Sequence, residues 1–117
     1  MITDLTDNII EKIKRESVPM VREALGSDLC EIVLYGSCAR GDFNEDSDID
    51  IALLTKCGRT EAERYGRVLA QIATELALKY FAVVNFVCLP KEEYDEKKDW
   101  YPYFKSINNE GVRLYGR

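Results

Sequence analysis

The stretch from Leu34 to Leu54 limits the folds open to this chain more than any other. Two apolar, strand-like segments, Glu31–Tyr35 and Asp48–Leu54, flank a Gly36-Ser37 step, a short Cys38-Ala39-Arg40-Gly41 run and a polar, acidic loop. The second segment opens Asp48-Ile49-Asp50-Ile51. Residues two apart in a strand share a face, so Asp48 and Asp50 stand side by side while Ile49 and Ile51 point into the core. Adjacent carboxylates repel unless a cation lies between them or one is protonated. Their hard oxygens suit Mg²⁺, which takes one or two protein carboxylates and fills its other positions with water and substrate phosphates.

The first segment ends where glycine permits a sharp turn and a close approach to a ligand. Ser37 suits the N-cap of a short helix over Cys38–Arg40, and the free N–H groups of such a start favour phosphate oxygens. The Ser37 hydroxyl adds a hydrogen bond and Arg40 adds charge. Ser47 is placed to bond Asp48 or the backbone beside it and so orient the pair. Gly36, Ser37, Arg40 and Ser47 are therefore candidate nucleotide-binding residues, and Asp48 and Asp50 candidate metal-binding and catalytic residues.

Gly-Ser alone is usually an ordinary turn, and Asp-x-Asp alone usually a solvated strand end. The combination of a strand, Gly-Ser, ten residues and Asp-x-Asp opening another strand is far more specific. It resembles the nucleotidyltransferase superfamily that includes DNA polymerase beta, and within it the minimal single-domain nucleotidyltransferases of bacteria and archaea. The sharp motif runs from Tyr35 to Leu54. The tail, an aromatic helix ending in Glu110-Gly111 before a last apolar segment, also looks like one subfamily.

The resemblance implies a nucleotidyltransferase core, with Gly36-Ser37 facing Asp48 and Asp50 at an exposed edge. It implies transfer of a nucleotidyl group, AMP from Mg²⁺-bound ATP, to a hydroxyl acceptor. Such minimal proteins resemble antitoxins partnered with HEPN-type toxins, whose tyrosine would be that acceptor. One departure stands out. A strand in the position of Phe81–Leu89 commonly carries a third carboxylate in this family, and Asn85 falls there. Asparagine offers a carbonyl oxygen to a metal but no charge and no useful base. Two readings stay open: an enzyme working on two carboxylates, or a catalytically weakened nucleotide-binding antitoxin or regulatory module that acts by partner binding. Asn85 is equally open to a purely structural role.

Composition narrows the rest. A length of 117 residues with 46% hydrophobic content fits one domain, 1–117, with a real core. A net charge of −5 argues against a large nucleic-acid footprint. No apolar run reaches a membrane span and no signal-peptide pattern opens the chain, so a cytoplasmic protein is expected. Nothing in the sequence excludes a homo-oligomer. There is no histidine, which removes Ser-His-Asp and Cys-His chemistry. The four cysteines form no C-x-x-C pair, and Cys30 and Cys88 read as reduced core residues.

In chain order, Asp4–Leu25 reads as helix, capped by Thr3 or Asp4, with Pro19 either kinking it or opening a second helix. Thr60–Lys79 reads as one long helix, with a Thr60/Glu63 capping box and an apolar stripe of Tyr65, Val68, Leu69, Ile72 and Leu76. Arg59, Arg64 and Arg67 form a solvated face or a substrate contact. Residues 91–99 are a short helix or a mobile loop. The aromatics from Tyr94 to Phe104 are core or partner surface, and Val112–Tyr115 a short last strand. The fold expected is α/β (α+β): a small mixed sheet backed by helices on one side.

Overall fold

The structure is a computed structural model and describes residues 5–116. Four strands form one mixed sheet in the order β3-β2-β1-β4. They are β1 (Leu29–Tyr35), β2 (Ile49–Thr55), β3 (Val84–Pro90) and β4 (Val112–Tyr115). β1 runs antiparallel to both β2 and β4, whereas β3 joins β2 in parallel. The parallel pair is what the intervening helices require, since a parallel return needs a crossover.

The helices are α1 (Asp7–Leu25), α2 (Ser37–Arg40), α3 (Arg59–Ala62), α4 (Gly66–Tyr80), α5 (Lys91–Lys97) and α6 (Pro102–Glu110). Pro19 lies inside α1 without dividing it. The caps expected at Thr3 and Asp4 lie outside the described residues; Thr6 caps α1, its hydroxyl accepting from the N–H of Ile9 at 3.3 Å. The single helix expected over Thr60–Lys79 is interrupted. A 3-10 turn, Glu63–Tyr65, separates α3 from α4, and no side chain caps α3. The apolar stripe survives on α4, where Leu69, Ile72 and Leu76 are buried. Residues 91–97 are helical rather than a mobile loop.

Helices cover both faces of the sheet, not one. One core joins Ile10, Ile13 and Val21 of α1 and Leu69, Ile72 and Leu76 of α4 to Ile32, Leu34, Ile49, Ile51 and Leu53. The other joins Tyr94 of α5 and Phe104 and Ile107 of α6 to Val33, Ala52, Leu54 and Leu89. The cause lies in β2. Ile51-Ala52-Leu53-Leu54 is apolar at every position and fully buried, which requires cover on both sides. The aromatics are correspondingly split: Tyr94 and Phe104 are core, while Trp100, Tyr101 and Tyr103 are 64%, 43% and 41% exposed.

All four cysteines are free; Cys38 is the buried one, and Cys30 and Cys88 are only partly covered. No helix among the described residues is long and apolar enough to cross a membrane.

Candidate active site

Tyr35, Asp50 and Asn85 lie in one row across three strands. Asp50 pairs in register with Tyr35 of β1 on one side and with Asn85 of β3 on the other. Residues facing one another across strands share a face. This face is the one that α5 and α6 cover lower down, at Ala52 and Leu54. At the top of β2 the cover ends, and the carboxylates emerge at a rim.

Asn85 meets both aspartates. Its side-chain Nδ2 donates to Asp48 Oδ2 at 3.2 Å and to Asp50 Oδ1 at 3.3 Å. Asp48 thus joins the group from just before β2. Two carboxylates converging on one donor is the arrangement expected of a pair that needs positive charge between them.

The Gly36-Ser37 turn packs directly on this pair. Gly36 has φ 77° and ψ −160°, a region that only glycine occupies readily. A Cβ at this position would lie 2.8 Å from Asp50 Oδ2. Gly36, not Ser37, is the N-cap residue of α2, and Ser37 is its first residue. The N–H groups of Ala39 and Arg40 bond Gly36 O, and that of Gly41 bonds Ser37 O. As the first residues of a helix, Ser37 and Cys38 have N–H groups without intrahelical acceptors. The buried Cys38 thiol reaches back to the carbonyl of Asp48 at 3.5 Å, joining the two halves of the motif.

Ser47 is turned away from Asp48. Its hydroxyl accepts from the N–H of Asn44 at 3.0 Å, and its own N–H bonds Asn44 O at 3.1 Å. Asn44 also accepts from the N–H of Asp46. These short-range bonds fold the acidic loop on itself, so Ser47 shapes the loop that delivers Asp48 rather than gripping the carboxylate.

Arg40 is held by two carboxylates. Its Nε donates to Asp42 Oδ2 and its Nη1 to Glu110 Oε2, each at 3.2 Å. Asp42 first and Glu110 second raise its pKa further, so it stays charged. Tyr35 shares a 3.0 Å hydrogen bond with the Tyr103 hydroxyl of α6. Burial, that hydrogen bond and the negative charge of Asp50 together push the Tyr35 phenol well above its ordinary value, which keeps it neutral. Glu110, Tyr103 and the Cys38 thiol carry no sequence signal of their own as site residues. Among the arginines, Arg59 is bidentate to Glu93 and Arg64 pairs with Asp28.

The donor set fits a hard divalent cation. Two aspartate carboxylates converge on one point, where the Asn85 side-chain amide nitrogen now stands, and carboxylate oxygens of this kind suit Mg²⁺. Among the described residues no group of three His, Cys, Asp or Glu side chains gathers elsewhere or here. Asn85 also lines a cleft of about 510 Å³ between β3 and the head of α4, with Glu63, Gly66 and Leu69. That volume is within the range of small-ligand sites.

A glycine-serine turn seated on a pair of aspartates at the head of a strand is the arrangement of the nucleotidyltransferase class. Residues 10–112 match the family model described as nucleotidyltransferase domain, and the chain belongs to that family. A candidate protein adenylyltransferase of Methanocaldococcus jannaschii is 31% identical over 105 residues, which is 90% of this chain and 97% of the relative. In fold, the chain is similar to a structure of a tri-AMPylated HEPN toxin of Shewanella oneidensis in complex with MNT antitoxin. The TM-score there is 0.55 at 19% identity, with 92% of this chain and 72% of that chain covered. A toxin–antitoxin complex with AMP-PNP gives a TM-score of 0.53 at 23% identity, covering 97% of this chain and 75% of that chain.

Proposed function

We propose that the chain, acting as one domain over residues 1–117, transfers AMP from ATP to a hydroxyl of a partner protein. The observation that carries this reading is the seating of Gly36 on Asp50. It sets the Gly36-Ser37 turn against one carboxylate of the aspartate pair, which supports a phosphate held beside a cation. The kinship with a candidate protein adenylyltransferase supports an adenylyl group and a protein acceptor. The fold shared with an MNT antitoxin complex supports a HEPN-type toxin as the partner and its tyrosine as the acceptor. Such a reaction belongs in the cytoplasm.

The residues divide the work. The N–H groups of Ser37 and Cys38, the Ser37 hydroxyl and Arg40 hold the phosphates; Gly36 leaves room for the Asp50 carboxylate beside them. Ser47 closes the loop that fixes Asp48. Asp48 and Asp50 would hold Mg²⁺, with Asn85 able to add its carbonyl oxygen if the amide turns over. The cation, when bound, offsets phosphate charge and polarises the α-phosphorus. The acceptor oxygen bonds to that phosphorus as its bond to the bridging oxygen breaks, pyrophosphate leaves, and the acceptor proton passes to solvent. Asn85 cannot take it. Rate enhancement here rests on positioning and charge.

Calorimetric titration of ATP with and without Mg²⁺, on wild type and Asp48→Asn, tests the site. Mg²⁺-dependent binding that the substitution abolishes is the expected result. Binding that ignores both would end the metal assignment. Mass spectrometry of the partner after incubation with ATP then reads the AMP adduct.

Asn85 favours a second reading, in which the pocket binds nucleotide and the protein neutralises its partner by contact. Partner inhibition that persists in Asp48→Asn, with no adduct formed, would select it.

A further inference from the structure

We infer that Glu110 is a positioning residue for the phosphate site, acting through Arg40. The inference rests on the nucleotidyltransferase reading above and adds to it a residue from the far end of the chain. Glu110 is the last residue of α6, seventy positions from Arg40, and its Oε2 receives Arg40 Nη1 at 3.2 Å. Asp42 takes Nε on the other side. Both carboxylates are substantially exposed, and exposed ion pairs contribute little to stability. Their geometric effect is larger. With both bonds made the guanidinium is held at Nε and at Nη1, while Nη2 has no hydrogen-bond partner among the described residues.

The platform under Glu110 is rigid. α6 is anchored by Phe104 and Ile107, both buried against the sheet. Beyond Glu110 the chain turns at Gly111, where a Cβ would sit 2.5 Å from Val33 Cγ1 and would also collide with the carbonyl of Ile107. β4 then starts at Val112, paired with Leu34 two residues before Gly36. Tyr103, Ser106 and Glu110 recur at helical spacing on one side of α6, and Tyr103 meets Tyr35 just as Glu110 meets Arg40. The α6 face thus braces the Gly-Ser turn at two points. A guanidinium fixed in advance loses less freedom when a triphosphate binds.

The test is Mg²⁺-ATP and Mg²⁺-free AMP binding to wild type, Glu110→Gln, Glu110→Asp, Arg40→Ala and the Arg40→Ala/Glu110→Gln double variant, with thermal unfolding of each. Glu110→Gln is expected to weaken ATP binding about three- to tenfold, the scale of one charge-assisted contact. AMP binding and the unfolding midpoint should hardly move, and Glu110→Asp should recover part of the loss. In the Arg40→Ala background Glu110→Gln should have no further effect. Unchanged or tighter ATP binding by Glu110→Gln would overturn the inference, as would an equal loss when Arg40 is absent. Failure of wild type to bind ATP at all would instead overturn the nucleotide reading beneath it.

Discussion

Asn85 faces Asp50 across parallel strands, and its amide nitrogen bonds both Asp50 and Asp48. The side chain that the resemblance sets where a third carboxylate is expected is thus not idle. It supplies the positive end of a dipole to a pair of negative groups. Asn85→Asp removes that donor and adds a third charge. Without Mg²⁺ the variant should be less stable by about 1–2 kcal/mol. Mg²⁺ should restore it, raising the unfolding midpoint more than in wild type. If the pocket is catalytic, AMP transfer should rise at least about tenfold, because a base is now present. Equal transfer by wild type and variant would show that the third carboxylate is dispensable here.

Gly36 is the second test point. Gly36→Ala forces a Cβ into a backbone region that costs about 1–3 kcal/mol for other residues. The same Cβ displaces the Asp50 carboxylate. Chemical denaturation should show a loss of that size, and Mg²⁺-ATP binding should fall below detection. A stable Gly36→Ala protein that still binds Mg²⁺-ATP at wild-type strength would contradict the contact.

Glu31 is a buried charge on β1 with partners on two other elements. Arg113 Nε of β4 lies at 3.0 Å and Lys91 Nζ of α5 at 3.4 Å. Glu31→Ala takes the carboxylate from Arg113, while Lys91 keeps Asp95 at 2.7 Å, and both cations reach solvent. The cost should be about 1–3 kcal/mol, less than the roughly 3–5 kcal/mol of a fully buried broken pair. Urea unfolding of Glu31→Ala measures it. The edge strand β4 should also lose protection of its amides in hydrogen exchange, since Arg113 is then unanchored.

Acid stability should report on Glu93. Hydrogen bonds from Arg59 and then Lys97 hold its carboxyl down at about 2, against an ordinary value of 4.5. A carboxylate whose folded value is depressed contributes stability that is complete above its unfolded value. That contribution fades as pH falls through the folded one. Thermal midpoints should therefore be flat above pH 4.5 on this account and drop between 4.5 and about 2. Glu93→Gln should flatten that limb. An unchanged slope would show that solvent screening cancels the pair.

Much of the candidate site is legible in residue order because its chemistry is local. Alternation predicts Asp48 and Asp50 together and Ile49 and Ile51 in the core; the structure buries the two isoleucines and brings both aspartates to Asn85, Asp48 from just before β2. The Gly36-Ser37 turn, β1, β2 and the final strand follow from the same short-range patterns. Thr60 and Glu63 show where such patterns mislead. Their spacing suits a cap, but the chain breaks into α3, a 3-10 turn and α4 instead.

What the sequence by itself determined is the motif, its two carboxylates and the strand and turn that hold them, since each is set by contacts within a few residues. Only the tertiary structure decided that helices cover both faces, and that Tyr103 and Glu110 reach Tyr35 and Arg40. Those last contacts join residues about seventy positions apart. No periodicity encodes them, because they exist only after the burial of Phe104 and Ile107 has fixed where α6 lies against the sheet.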